Sequence, residues 1–550
     1  MSDVLSKLLE NYHLPAIFLA SLLLIFPVIV FGYPSGSEDL FHHIQLSLVY
    51  FDSINQGVLP DWAGGENSGY GSVAVRFYPP LTHFVMALFR IFAGNWEAAF
   101  VLSFFFWSLI GGYGMYLLAA DIFKNRLQPT VAAVLFILGH YHVNQIYNSF
   151  MFSEFVAVSV FPFCFLFAKK VCERENFLDV LAFGASVSLL ILSNTPQTVI
   201  GAISIGIFIL FYLKSESLFK QIRNLAIGCC LGLLGSCFYW LRMLGEIRWL
   251  NIYQPNTDPT YDYRNNFLLT SLDFDDRGIW LVSAMLVALA ALLLVSLLIT
   301  ENCKTIFRDR IQKSLFAVFA VSLLLMLPAS DLIWEHLHFL QRIQFPWRFL
   351  SVASLTATIL IAHCFGFFTA ENFRSKRPLA MILVGVTFIY CFISIRQIAL
   401  GANFMDSQRF SRLYEDSRFD KTLKHWQPVW ADDKMTDRAD RVSAESRRVE
   451  IQIWENERRK FSVDEGEKAQ MRVACLYYPH WQAFINGKQT AVQRSVDGTV
   501  AIDLSNEQSN VELVFVEPEI SFISRKISFI TWLGIILTLV YGRFRRRNIG

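Results

Sequence analysis

The stretch PAIFLASLLLIFPVIVFGY, residues 15–33, contains no charged side chain. A helix that crosses a bilayer needs about 20 mainly apolar residues, so this stretch predicts a first membrane span that is retained rather than cleaved. The same texture recurs along the chain, since 54% of its 550 residues are hydrophobic and its mean hydropathy is +0.39. Soluble domains are usually less apolar. The sequence therefore predicts a polytopic α-helical membrane protein.

Apolar runs of this kind predict about 12 transmembrane helices. They lie near residues 15–33, 97–122, 128–142, 151–169, 177–193, 196–213, 222–243, 278–300, 314–328, 347–369, 379–398 and 525–542. With a cytoplasmic N-terminus, Lys and Arg concentrate in the inner loops, as the positive-inside rule requires. The shorter run 79–94 starts with two prolines and contains Arg90. It is predicted to lie at the outer interface, so that 34–96 forms one large outer loop.

The texture changes near residue 399. Between 399 and 522 the chain is polar, with short alternating runs separated by turn signals such as Asn486-Gly487. This pattern predicts an extracytoplasmic β-sandwich. The organisation is therefore a transmembrane domain over 1–398, a β-rich domain over 399–522, and a final transmembrane helix with a basic cytoplasmic tail over 523–550.

Charge and cysteine content exclude some classes of partner. The net charge of +2 does not indicate a nucleic-acid partner. Most of the nine cysteines lie inside apolar runs, and no CxxC or Cys/His ligand spacing occurs. A structural zinc site is therefore not predicted.

Acidic and histidine side chains follow the first span directly. In SEDLFHH, residues 37–43, Asp39 and His43 are four positions apart and share one face of a predicted helix. Such a pair suits a divalent cation, or a carboxylate that takes a proton from an attacking hydroxyl. The alternative is an amphipathic surface helix with a capping acid. Glu154, in GHYHVNQIYNSFMFSEF (139–155), opens a later span, where a carboxylate is costly unless it is paired, functional or a helix cap.

Arginine and aromatic residues precede two other apolar segments. LQRIQFPWRFL (340–350) carries four candidate substrate-binding residues, and RFYPPL (76–81) carries two: Arg342, Gln344, Trp347, Arg348, Arg76 and Tyr78. Arginine forks bind phosphate oxygens bidentately. The alternative is a belt of interface anchors. Together these loops predict a pocket at the outer lipid–water boundary for a substrate with a phosphate head and an apolar tail.

The order of these motifs resembles a known family. FYPPL (77–81), QFPWRFL (344–350) and the D-x-x-x-H helix are similar to those of bacterial and archaeal "6-pyruvoyl-tetrahydropterin synthase-related" membrane proteins, which are glycosyltransferases of the GT-C superfamily. YYPHWQAFINGKQTAV (477–492), followed by VELVF, resembles the C-terminal region of YfhO-like proteins. The resemblance implies a GT-C-like fold whose long first outer loop holds an essential carboxylate.

The resemblance also implies residue roles. Asp39 matches the first-loop acid, His43 its partner histidine, Glu154 an acid of the second outer loop, and Arg348 the arginine of the QFPWR motif. Such enzymes often use a divalent cation, Mg²⁺ or Mn²⁺. Relatives often carry a histidine before the proline turn at which this chain has Asn194-Thr195-Pro196, which leaves any role of that histidine in doubt for this chain.

The function predicted from these features is transfer of a sugar from a polyprenyl-phosphate-linked donor to an extracytoplasmic glycan, lipid or protein acceptor. Asp39, His43 and Glu154 are the predicted catalytic residues, and the location is the bacterial inner membrane. The alternatives are a flippase or transporter for lipid-linked sugars, and a non-catalytic assembly factor for envelope glycans. Transporters place their sites near the bilayer midplane and show internal repeats, and the sequence shows neither feature.

Overall fold

The computed structural model describes residues 12–35, 38–174, 176–251, 261–270, 277–300, 309–368, 373–399, 401–416, 427–432 and 440–547. Its α-helices are α1 His13–Phe31, α2 Glu38–Asn55, α3 Ala74–Phe77, α4 Leu81–Ala93, α5 Trp96–Ile122, α6 Leu127–Leu138, α7 His140–Tyr147, α8 Phe152–Glu173, α9 Phe177–Ser193, α10 Thr195–Leu210, α11 Leu218–Glu246, α12 Arg277–Ile299, α13 Arg310–Met326, α14 Asp331–His336, α15 His338–Gln341, α16 Leu350–Phe365, α17 Phe373–Ile393, α18 Ser407–Asp416 and α19 Glu519–Arg547.

Eight helices in the described part of the chain are long and apolar enough to cross a membrane. They are α1, α5, α8, α11, α12, α16, α17 and α19 with short extensions. The prediction of a polytopic helical membrane protein is confirmed. Four further predicted spans coincide with the shorter helices α6, α9, α10 and α13, and α13 forms a pair bent by 90° with the helix that follows it.

The segment between α1 and α5 contains α2, the short α3 and α4; α2 packs on α4, and α4 packs on α5. Proline stands just before the first residue of α4, where its fixed φ suits a helix start. The same helix ends at Gly94, whose φ of 79° lies in the left-handed region that glycine tolerates best. The apolar stretch 79–94, predicted as a helix, therefore contains one.

The C-terminal β domain consists of antiparallel strands: β3 Val442–Ser443, β4 Val449–Trp454, β5 Arg458–Val463, β6 Ala469–Leu476, β7 Trp481–Ile485, β8 Lys488–Thr490, β9 Gln493–Arg494, β10 Thr499–Leu504 and β11 Ser509–Phe515. They form one sheet in the order β3-β6-β10-β9 and another in the order β4-β5-β11-β7-β8. Inward side chains of both sheets, among them Phe461, Met471 and Leu513, share one buried cluster. This arrangement agrees with the predicted antiparallel β domain.

The β domain contacts the first outer loop directly. A short pair of strands, β1 Tyr33–Pro34 and β2 Phe404–Met405, joins the end of the first span to the chain that follows α17. The amide of Leu476 donates to the carbonyl of Tyr70 at 2.8 Å, and Trp62 packs in the same buried cluster as the sheets. The domain boundaries at 398 and 522 stay predictions.

Candidate functional site

Asp39 lies in the first turn of α2 with its side chain exposed, while His43, one turn later, is buried. The predicted i, i+4 pair is therefore split between solvent and protein. Ser47 donates to the carbonyl of His43 at 2.8 Å, which continues the polar face of the helix inward. Asp39 therefore lies at the surface, and the imidazole of His43 lies inside the protein.

His43 has a partner that the sequence did not single out. Its Nδ1 lies 2.9 Å from Nε2 of His83, which lies in the first turn of α4, just after Pro79-Pro80. Burial, followed by the nearby His83 and His42, holds the pKa of His43 well below its usual value, and burial lowers the pKa of His83 to about 3. Both rings are therefore neutral at pH 7, so that one donates to the other.

Tyr78 joins the predicted acid to the predicted arginine. Its ring centroid is 5.3 Å from that of His42 and 5.9 Å from that of His43. Burial raises the pKa of the Tyr78 phenol, the charge of Asp39 raises it further, and a hydrogen bond with Ser153 and the charge of Arg348 oppose them. One phenol thus lies within electrostatic reach of both Asp39 and Arg348, which belong to segments some three hundred positions apart.

Arg348 forms an ion pair with Glu154. Arg348 Nε lies 3.0 Å from Glu154 Oε2, and the carboxylate is 1% exposed. Arg348 also donates to the carbonyl of Ile343 at 2.7 Å, and its guanidinium lies over the ring of Phe345. The sequence predicted both charged residues, and the structure brings them into direct contact.

Neutral polar side chains surround this ion pair. Tyr141 donates to Glu154, Gln197 reaches the Tyr141 hydroxyl at 3.5 Å, and Ser351 bonds Gln197 Oε1 at 2.9 Å. These three residues were not predicted. Gln197 lies in SNTPQT (193–198), where Asn194 caps α10 by accepting from the amide of Gln197.

The backbone is unusual just before both charged residues. Phe150 and Gln344 have φ angles of 48° and 68°, a region that non-glycine residues rarely adopt. Each precedes the helical turn that carries Glu154 or Arg348. Strained conformations of this kind concentrate at functional sites, and here they aim the two side chains at each other.

Arg76 lies elsewhere than predicted. It is fully buried, and its guanidinium makes a bidentate pair with Glu246 at 2.6 Å, an ion pair with Glu517 and a hydrogen bond to the carbonyl of Asp61. Tyr478 donates to Glu246 at 2.6 Å. These partners occupy its donors and join segment 34–96, α11 and the β domain, and the substrate-binding role of Arg76 stays a prediction.

We call this cluster the junction. It also contains Asp61, which accepts from Arg242 and Arg525, and Glu457, which accepts from the amide of Asp61 at 2.8 Å. Burial, with Asp61 nearby, raises the pKa of Glu457 to about 7. Aromatic rings of Trp62, Trp481 and Phe515 pack around the charges.

Three remaining predicted residues lie on the segment before α16. Trp347 is buried and stacks on Phe345 with centroids 5.3 Å apart. Gln344 supplies the left-handed turn. Arg342 is exposed, and within the described residues no contact joins it to the Glu154 pair.

Asp39 and His43 are the two residues predicted to hold a divalent cation. The imidazole of His43 already bonds His83, and the described residues contain no group of three His, Cys, Asp or Glu side chains able to hold a metal ion. The pair does not by itself make a metal centre, so no chemical step is assigned to a cation, and the predicted cation stays a prediction.

Comparison with solved structures gives distant likenesses. One is to the arabinofuranosyltransferase AftD from Mycobacteria, with 13% identity and a TM-score of 0.49 over 71% of this chain and 27% of that protein. Another is to the Archaeoglobus fulgidus oligosaccharyltransferase, with 12% identity and a TM-score of 0.47 over 76% of this chain and 61% of that protein. The complex of the latter, AglB, with an inhibitory peptide and a dolichol-phosphate aligns at 11% identity with a TM-score of 0.43, again over 61% of its length and over 77% of this chain.

No curated protein matches the sequence. The family described as "6-pyruvoyl-tetrahydropterin synthase related domain; membrane protein" matches residues 75–398, which is more than half of the chain and contains Tyr78, Glu154 and Arg348. The protein therefore belongs to the 6-pyruvoyl-tetrahydropterin synthase related family of membrane proteins.

Proposed function

We propose that this protein is a membrane glycosyltransferase that moves a sugar from a polyprenyl-phosphate-linked donor to an acceptor hydroxyl on the extracytoplasmic side of the bacterial inner membrane. The observation that carries the proposal is the position of the Tyr78 phenol, within electrostatic reach of both Asp39 and Arg348. An exposed carboxylate and a buried arginine, each near the same phenol, are the two charged groups that such a transfer needs.

In this proposal Asp39 is the general base. The acceptor oxygen bonds to the anomeric carbon as its proton passes to the carboxylate, and the bond from that carbon to the phosphate oxygen breaks with its electron pair. The lipid phosphate that leaves is already a weak base, so it needs charge stabilisation more than a proton. Asp39 is suited to the base role because it is exposed while the residues behind it are buried.

Arg348 stabilises the leaving phosphate in this scheme. Glu154, Ile343 and Phe345 hold its guanidinium in one orientation, and a preorganised cation needs little rearrangement as negative charge develops. His43 and His83, both neutral, form the wall beside the reacting groups and carry no proton in the step.

The test uses the full chain reconstituted in liposomes with a polyprenyl-phosphate donor carrying a radiolabelled sugar, and membrane extract as acceptor. We expect the wild type to release the label from the lipid, and Asp39→Asn to reduce the rate by about a thousandfold, as loss of a general base does. Asp52→Asn, on the same helix, is the matched control and should keep the wild-type rate.

Two outcomes contradict the proposal. Full activity of Asp39→Asn removes that residue from the chemistry. Movement of the intact donor to the other leaflet without release of label shows a transporter, because the bond between sugar and phosphate has then stayed unbroken.

A further inference from the structure

An apolar groove lies beside the junction, on the side of the helical bundle formed by α9, α11 and α19. Its volume is about 430 Å³, and its walls include Leu189, Leu192, Phe238 and Trp532. The same helices present large apolar side chains outward, such as Leu233 on α11 and Phe529 on α19. The groove therefore lies on an apolar face of the helical bundle that is suited to contact with lipid.

Two arginines line the groove, Arg242 from α11 and Arg525 from α19. Both bond the same carboxylate oxygen of Asp61. The other nearby acids, Glu246 and Glu517, are taken up by Arg76. Two guanidinium groups therefore meet at one carboxylate oxygen on the wall of the groove.

Arg242 has unused hydrogen-bonding capacity. It is 8% exposed, and within the described residues its buried Nε has no hydrogen-bond partner. Arg525 keeps 27% of its side chain exposed. A buried donor without a partner costs free energy, and an anionic oxygen in the groove would supply the missing acceptor. Arginine pairs are suited to phosphate oxygens.

The groove is separate from the site assigned to the transfer. None of Asp39, Glu154 and Arg348 lines it. The turn from Tyr78 to Leu81 lies between the two, because Tyr78 contacts the histidine rings while Pro80 and Leu81 line the groove. A phosphate bound here is therefore held away from the reacting groups.

We propose that this groove binds one anionic glycerophospholipid of the surrounding bilayer, with its phosphate at Arg242 and Arg525 and an acyl chain along Leu189, Phe238 and Trp532. The bound lipid supplies, with its phosphate, the acceptor that Nε of Arg242 lacks among the described residues. It also connects α11 with α19, the helix that follows directly from the last strand of the β domain. It acts as a structural lipid that secures the β domain against the helical bundle.

The test uses the full-length protein, delipidated in detergent and titrated with phosphatidylglycerol or phosphatidylcholine, with bound lipid counted by native mass spectrometry. We expect one phosphatidylglycerol to bind tightly and phosphatidylcholine to bind weakly. Arg525→Gln should weaken phosphatidylglycerol binding by about tenfold, since one charge-assisted hydrogen bond is lost. Lys526→Gln, the exposed neighbour on the same helix, is the matched control and should bind as the wild type does.

A second variant distinguishes loss of lipid binding from a folding defect caused by Arg525→Gln. Leu189→Trp fills the groove without changing any charge and should also reduce binding. Asp39→Asn should bind the lipid normally, so failure of the transferase proposal would not affect this one. Wild-type binding by both Arg525→Gln and Leu189→Trp overturns the inference. So does equal binding of phosphatidylcholine, or preferential binding of polyprenyl monophosphate, which would assign the groove to the donor.

Discussion

The ion pair of Glu154 with Arg348 and the junction around Arg76 both bury charged side chains. They differ in whether an exposed charged group lies nearby. The junction surrounds Arg76 with two carboxylates and a carbonyl, and no part of its side chain reaches solvent. The outer pair lies beside Tyr78, which is within reach of the exposed Asp39. Buried charge alone therefore does not distinguish the two regions; the exposed carboxylate of Asp39 near one of them does.

The contrast also concerns how each arginine is satisfied. Arg76 makes bidentate contact with one acid and an ion pair with a second, which is the geometry of a structural anchor. Among the described residues Arg348 pairs with one acid, Glu154, and it also contacts a carbonyl and an aromatic ring. The positive charge of a guanidinium that pairs with one acid is less fully neutralised than that of one that pairs with two, so it can attract a bound anion more strongly.

The largest stability effect should come from Arg76→Met. This change leaves Glu246 and Glu517 buried without their common cation, which costs about 3–5 kcal/mol. Arg90→Met is the control, because Arg90 lies over the rings of Phe51 and Trp96 and its loss costs about 1 kcal/mol. Thermal unfolding in detergent, with limited proteolysis of the β domain, measures both. Equal losses in the two variants would contradict the role of Arg76 as an anchor.

Glu154→Gln should reduce the transfer rate more than it reduces the stability, which is the opposite of what we expect for Arg76→Met. The amide keeps the shape of the side chain but no longer holds Arg348 by charge, so we expect the transfer rate to fall by about a hundredfold with a smaller loss of stability than in Arg76→Met. The split between kcat and KM is the decisive measurement, because a positioning residue lowers kcat.

Glu97→Gln is the matched control for that variant. Glu97 also lies in the first turn of a helix, but its partners are Ser407 and Ser411. Wild-type kcat in Glu154→Gln would make the outer pair a structural feature like the junction.

The smallest effect should appear at Glu457. Its pKa is raised to about 7 by burial and by Asp61, from an ordinary value near 4.3. The folded state therefore binds more protons than the unfolded state between these values, and stability falls as pH rises from about 4.5 to about 7. Glu457→Gln should remove this part of the pH dependence and raise the melting temperature by a few degrees above pH 7.

The measurement for Glu457 is thermal unfolding across pH 5 to 8. Glu455→Gln, an exposed acid on the same hairpin, is its control and should leave the slope unchanged. A wild-type slope in Glu457→Gln would show that another group of the junction titrates in this range.

Much of the fold followed from local pattern. Apolar runs predicted the long helices because a bilayer imposes both length and composition on any segment that crosses it. Alternation and turn residues predicted the strands, since side chains of a strand point to opposite faces in turn. Asp39, Glu154 and Arg348 were predicted as site residues from spacing, from the cost of a carboxylate at membrane level and from motif order, and their roles stay predictions.

Sequence by itself therefore determined the class of the protein and the approximate position of its long helices and of its strands. Only the tertiary structure decided which charges meet. Arg76 and Arg348 look alike in sequence, each beside an aromatic residue and a proline, but one pairs with acids from α11 and the β domain and the other with an acid from α8. The physical reason is that pairing depends on distances across the fold, and residues hundreds of positions apart leave no trace of such distances in a single sequence.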